Sequence, residues 1–184
     1  MICPSCGHEN IDGTDSCEGC QADLMEESAP RAATRVEEKI MEMPVSRVAA
    51  RKWTHLPPTA SLREAIQAMK GEESGAVLVV DSGNRLVGIL TERDVFRRIA
   101  GNDAIDLDKA RLSEHATRDP ETIRPTDTLQ YALNRMAIQG FRHLPLEGPG
   151  GPAGVVCARH VMDFIEDSFH ETVTSAFRKF SRPE

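Results

Sequence analysis

The feature that most constrains the fold is an internal repeat. The run Pro58-Thr59-Ala60-Ser61-Leu62-Arg63-Glu64-Ala65-Ile66-Gln67-Ala68-Met69 returns 67 residues later as Pro125-Thr126-Asp127-Thr128-Leu129-Gln130-Tyr131-Ala132-Leu133-Asn134-Arg135-Met136. Leu78-Val79-Val80-Asp81 returns as Leu144-Pro145-Leu146-Glu147, and the stretch from Gly88 to Val95 as that from Gly154 to Val161, both after 66 residues. Self-similarity at a fixed spacing means one supersecondary unit built twice. Two units of about 60 residues each therefore fill residues 43–168.

Both units read alike. A short strand (Trp53 to Leu56; Glu121 to Ile123) leads to a proline, and Ser61 or Asp127 then stands where it can cap a helix. Leu62, Ala65, Ile66 and Met69 form the apolar stripe of the first helix, and Leu129, Ala132, Leu133 and Met136 that of the second. An apolar strand from Ala76 to Val80, the turn Asp81-Ser82-Gly83-Asn84 and a strand from Leu86 to Leu90 predict a hairpin, followed by a helix from Glu92. In the second unit the turn is Gly148-Pro149-Gly150-Gly151-Pro152, a loop sequence without a tight-turn preference.

A different composition marks the N-terminus. The chain has 29 Asp plus Glu against 22 Lys plus Arg, a net charge of -7. Residues 1–30 hold Glu9, Asp12, Asp15, Glu18, Asp23, Glu26 and Glu27 with no Lys or Arg, so they carry the whole imbalance. Four of the five cysteines lie there as Cys3-x-x-Cys6 and Cys17-x-x-Cys20. Two such pairs present four thiolates to one tetrahedral ion. About 24 residues bury too little apolar surface to fold alone, and zinc binding, worth about 10–16 kcal/mol in small peptides, supplies the missing stability. A closed four-sulfur shell leaves no position for water, so the metal is read as structural, and His8 as solvated. A redox dithiol and an iron site are the competing readings.

The acidic charge argues against a general nucleic-acid or anionic-membrane binder, and no apolar run reaches the roughly 18 residues of a membrane span. The first residues lack the basic and apolar stretches of a secretory signal, which gives a cytoplasmic expectation. Paired catalytic carboxylates, Gly-x-Ser-x-Gly and a Walker loop do not occur, so the chain is expected not to be an enzyme.

Cys3-Pro4-Ser5-Cys6-Gly7 and Cys17-Glu18-Gly19-Cys20 resemble the knuckles of short zinc ribbons, with Gln21 standing where the second knuckle usually has Gly. The doubled β-α-β-β-α order resembles a pair of cystathionine-β-synthase (CBS) domains, the Bateman module. It includes the lead-ins Val45-Ser46-Arg47-Val48 and Leu112-Ser113-Glu114-His115, and the signatures Gly88-x-x-Thr91-x-x-Asp94 and Arg142-His143-Leu144-Pro145. The fold implied is α+β, with tandem CBS repeats forming a pseudo-symmetric pair behind a zinc-ribbon head. Its divisions are a ribbon at 1–25, a linker at 26–42, repeats at 43–104 and 108–168, and a C-terminal amphipathic helix and tail at 169–184.

That resemblance implies an adenine nucleotide or S-adenosylmethionine as regulatory ligand. Asp94 would take the ribose hydroxyls and Thr91 lie near the phosphate, with adenine against Glu121-Thr122-Ile123 and Arg142 and Arg159 as phosphate cations. The implied set is Ala76, Ile89, Thr91, Asp94, Glu121, Thr122, Arg142, His143 and Arg159, with Ala76 offering only backbone. The same Thr91-x-x-Asp94 spacing also suits an N-cap and a favourable first turn. Asp94→Ala is then expected to abolish nucleotide binding and leave the fold intact. The symmetry-related cleft would use Thr54, His55 and Leu56 with Cys157 and His160, where thiol and imidazole replace hydroxyl and carboxylate and the ribose clamp is gone.

The expected function is a non-catalytic regulator that senses the ligand and passes the signal to a partner protein, as a homodimer. The alternative is a ligand-free interaction scaffold that recruits a protein through the acidic ribbon. Phe169, Val173, Ala176, Phe177 and Phe180 lie at helical spacing and suit packing on the body or on a second subunit.

Overall fold

A computed structural model of the chain describes residues 2–3, 6–11, 14–22, 24, 42–50, 53–70 and 75–168. The expected C-terminal stripe from Phe169 and the short helix expected at 36–40 lie outside them. The fold is mixed α+β.

In the first half, β1 (Thr54–Leu56) precedes α1 (Leu62–Lys70), and β2 (Ala76–Val80) and β3 (Leu86–Thr91) form the hairpin. Strand β2 is buried along its whole length, as its unbroken apolar run demands. It pairs parallel with β1 and antiparallel with β3. Ser61 caps α1: its Oγ accepts from the Glu64 N–H, and the Glu64 carboxylate accepts from the Ser61 N–H and hydroxyl. Helix α2 (Glu92–Asp94) continues as a π-helical turn (Val95–Ile99).

The second half repeats this with α4 (Leu129–Gln139), the hairpin β5 (His143–Gly148) and β6 (Gly151–Cys157), and a helix over 158–168, α5. Four details depart from the sequence reading. The cap of α4 is Thr128, whose Oγ1 accepts from the Tyr131 N–H, while Asp127 turns back to accept from the Arg124 N–H. Leu133 is 36% exposed, leaving Leu129, Ala132 and Met136 as the buried stripe. The expected strand at 121–123 reduces to one parallel bridge, Ile123 to Leu146. The second hairpin also turns more tightly than its loop sequence suggests, with Gly148 and Gly151 registered opposite each other.

The lead-ins are exchanged. A 3-10 turn at Val45–Arg47 precedes the first unit but packs on the second, with Val45 N–H donating to Asp127 O at 2.8 Å and Leu129 N–H to Met43 O at 2.7 Å. Val45 and Val48 thus share a core with Leu129, Met136, Leu144 and Val156. Reciprocally, α3 (Leu112–His115) places Leu112 among Leu62, Ala65, Val77 and Leu90, and β4 (Thr117–Arg118) adds a fourth strand beside β3. Gly88 permits that pairing, because a Cβ there would stand 3.0 Å from the Thr117 carbonyl. Each core is completed by the other unit's lead-in, and the segment that follows it, from β4 to Ile123, runs between the halves.

Candidate functional site

That crossing segment forms one side of a cleft of about 860 Å³, within the range of nucleotide-sized pockets. The first half supplies Ile89, Thr91 and Asp94, and the second supplies Glu121, Arg142, His143 and Arg159. Seven of the nine expected nucleotide residues therefore line one cavity. Ala76 is buried behind it, opposite Thr91 in the β2–β3 register, and packs with Leu78, Val80 and Ile89. Thr122 lines a smaller cavity beside Cys6 and Tyr131, on the other side of the chain from Glu121.

Sequence explains the lower wall. Thr91 ends β3 and caps α2, its hydroxyl accepting from the Asp94 N–H at 3.4 Å. Asp94 Oδ2 accepts from the Thr91 N–H at 3.0 Å and its hydroxyl at 2.7 Å, and Arg98 pairs with Oδ1 at 2.7 Å. Both oxygens are engaged, so a diol reaching Asp94 would share it with Arg98. The cap uses the same two side chains that the sequence assigns to a ligand.

Charge is the second property of the cleft. Arg93, Arg97, Arg142 and Arg159 line it against Glu92, Asp94 and Glu121. Two of those carboxylates are already neutralised, Asp94 by Arg98 and Glu121 by Arg135, whose Nε donates to it. Arg142 and Arg159 are exposed and have no carboxylate partner among the described residues. An acidic chain thus holds a locally cationic cavity, suited to a phosphate-bearing ligand. Sequence reasoning missed Arg93 and Arg97, which flank Asp94 on the same helical turns, and Phe96 and Met162 at the mouth, 80% and 63% exposed.

Of the residues expected in the second cleft, Cys157 lines the first cavity, opposite His143 in the β5–β6 register. Burial pushes its thiol up, while the backbone N–H groups of His160 and Arg159 donate to the sulfur in the manner of a cap. Both nitrogens of His160 are buried without a partner. Trp53, just before β1, and His55 within it bring their rings together at a tilt, with centroids 5.4 Å apart.

At the N-terminus the sulfurs of Cys3, Cys6, Cys17 and Cys20 all lie within 4.8 Å of one another, Cys3 to Cys20 at 3.7 Å and Cys6 to Cys17 at 3.5 Å. A tetrahedral zinc with bonds near 2.3 Å needs sulfurs about 3.8 Å apart, so the cluster fits a zinc-ribbon head. Each knuckle turns through a left-handed residue: Gly7 at φ 73°, and Gln21 at φ 59°, where a side chain is strained. Burial raises the thiols of Cys6 and Cys20. At Cys17 burial opposes ionisation, but the Cys20 N–H, the Asn10 amide and the Cys6 thiol stabilise the thiolate and bring it to about 6. Asn10, which the motif search passed over, is buried, donates to Cys17 Sγ at 3.5 Å and accepts from the Glu18 N–H at 2.9 Å.

The CBS domain family model matches residues 45–101 and 112–167. An uncharacterized 17.7 kDa protein of Acidianus ambivalens is 34% identical over 128 residues, covering 69% of this chain and 76% of that protein. An uncharacterized protein of Methanocaldococcus jannaschii is 29% identical over 123 residues, 67% of this chain but 42% of the relative, so this chain spans under half of that longer protein. Among solved structures, a CBS domain protein of Pyrobaculum aerophilum complexed with AMP is 26% identical, with a TM-score of 0.57 over 64% of this chain and 89% of its own.

Proposed function

The chain belongs to the CBS-domain family, with two copies of the domain, and on that footing we propose that it is a non-catalytic regulatory module that binds an adenine nucleotide between them. One observation carries the reading: a single cavity lined by Thr91 and Asp94 from one half and, from the other, by Arg142 and Arg159, two guanidinium groups without a carboxylate partner among the described residues. Asp94 takes the ribose hydroxyls, Thr91 and the helix start face the phosphate, Arg142 and Arg159 neutralise it, and the crossing segment at Glu121 borders the base. The AMP-bound relative from Pyrobaculum supports this ligand class. Zinc in the four-cysteine head is structural, holding a fold too small to stand alone.

Ligand binding at the junction of the halves is worth more in one relative arrangement than in another, which is what passing a signal to a partner requires. The module acts as a homodimer in the cytoplasm, with residues 1–25, 43–104 and 108–168 as its ribbon and repeats.

A thermal-shift series on the zinc-loaded protein with AMP, ADP, ATP, S-adenosylmethionine and NADH tests this. One ligand raises the midpoint progressively over tenfold concentration steps, and the gain disappears in a variant lacking both Arg142 and Arg159. A midpoint unmoved by all five leaves the scaffold reading, in which the acidic ribbon recruits a protein.

A further inference from the structure

The four-cysteine head and the cleft are joined by one side chain. Arg135 Nη1 donates to the Gly19 carbonyl at 3.1 Å, across 116 positions of sequence, while its Nε donates to Glu121 Oε1. The Arg135 side chain is only 13% exposed and that of Glu121 26%, so their ion pair is partly buried, while the contact to the Gly19 carbonyl lies at the surface. Gly19 lies between Cys17 and Cys20, and its N–H donates to Cys17 Sγ at 3.3 Å, so the residue whose carbonyl Arg135 binds is held by the knuckle. One turn earlier on α4, Tyr131 packs against both the cysteine cluster and the core of the second half. Glu121 lines the cleft that Arg142 and Arg159 also line.

We infer that Arg135 is a positioning residue that couples metal occupancy of the head to ligand affinity in the cleft, an inference that rests on the nucleotide reading above. With the knuckle closed, the Gly19 carbonyl holds one arm of the guanidinium fork and leaves the other on Glu121. The Glu121 carboxylate is then neutralised and held away from the phosphate. When the knuckle opens, Arg135 loses an anchor and Glu121 regains freedom to approach Arg142 or Arg159, competing with the anionic ligand for them. Metal and nucleotide therefore favour each other, and by linkage each strengthens the other by the same factor.

The test uses the full chain, zinc-loaded or treated with chelator, with metal content checked by mass spectrometry. AMP affinity is measured by calorimetry, and hydrogen exchange is followed in the segment 117–124. In the unmodified protein, chelation is expected to weaken AMP binding about fivefold, the lower end of ordinary coupling, and to speed exchange in that segment. Arg135→Met with zinc should bind AMP like the chelated parent and lose no more on chelation. Arg135→Lys, one ammonium in place of a fork, should recover only part of the coupling. Glu121→Gln should make AMP affinity independent of metal. Equal AMP affinity and equal exchange with and without zinc would overturn the coupling while leaving the nucleotide reading intact, as would a full metal effect persisting in Arg135→Met. A protein that binds none of AMP, ADP and ATP in either state refutes the nucleotide reading itself; metal-independent exchange in 117–124 then refutes the coupling as well.

Discussion

Asp94→Ala is expected to do two separable things. Asp94 accepts from the Thr91 N–H and hydroxyl in a capping box and pairs with Arg98 one turn on, so its removal costs stability even without ligand. Losing such a cap costs about 1 kcal/mol and a partly exposed i,i+4 pair a further ~0.4 kcal/mol. For a chain of this size, about 2–4 °C per kcal/mol gives a fall in midpoint of roughly 3–6 °C. Thermal denaturation followed by Trp53 fluorescence reads it, first without ligand and then across an AMP series. The variant should start lower and gain nothing from AMP, whereas Thr91→Ser, which keeps the hydroxyl, should behave like the parent. A ligand-free midpoint unchanged in Asp94→Ala would refute the capping argument. An undiminished AMP response would refute the ribose contact.

Gln21→Gly relieves the left-handed strain of the second knuckle and should stabilise the head by about 1 kcal/mol, seen as slower zinc release to a chelator. Leu112→Ala, in the lead-in of the second unit, should destabilise the first by about 3 kcal/mol in urea denaturation, because Leu112 is fully buried in that core. Glu64, Asp81 and Asp108 are held below the ordinary carboxylate range, by the Ser61 N–H, the Arg85 N–H and the Arg63 side chain respectively. Their unfolded forms bind protons first, so their stabilisation is present above the ordinary carboxylate pKa and is lost as pH falls through the depressed folded values. The thermal midpoint should drop on acidification from about pH 5 to about pH 3.

The repeat made the doubled architecture legible, because each copy carries its own cap, stripe and hairpin within about 40 residues. The four cysteines were legible for the same reason, since their spacing is local. Exchange of the lead-ins was not: Val45 and Leu112 are apolar residues beside a repeat, and nothing local says which copy they enter. Asp127 and Thr128 are both capable caps, and only backbone geometry separates them by one position. Leu133 sits at the edge of its stripe, where a small rotation of the helix exposes it. In the cleft, Thr91 and Asp94 announced themselves by spacing, whereas the partners of Asp94 and Glu121 did not. Arg98 is visible only as an i,i+4 neighbour, and Arg135 only once the fold brings α4 beside Gly19 and Glu121.

The central claim is that an adenine nucleotide lies between the two repeats. Photolabelling of the zinc-loaded protein with 8-azido-AMP, followed by peptide mapping, tests it most directly. The account predicts label on the cleft wall at 117–123 or 139–143, suppressed by excess AMP and absent in the Arg142 and Arg159 double variant. Competed label that maps instead to the head or to β1, or incorporation that excess AMP fails to suppress, would contradict it.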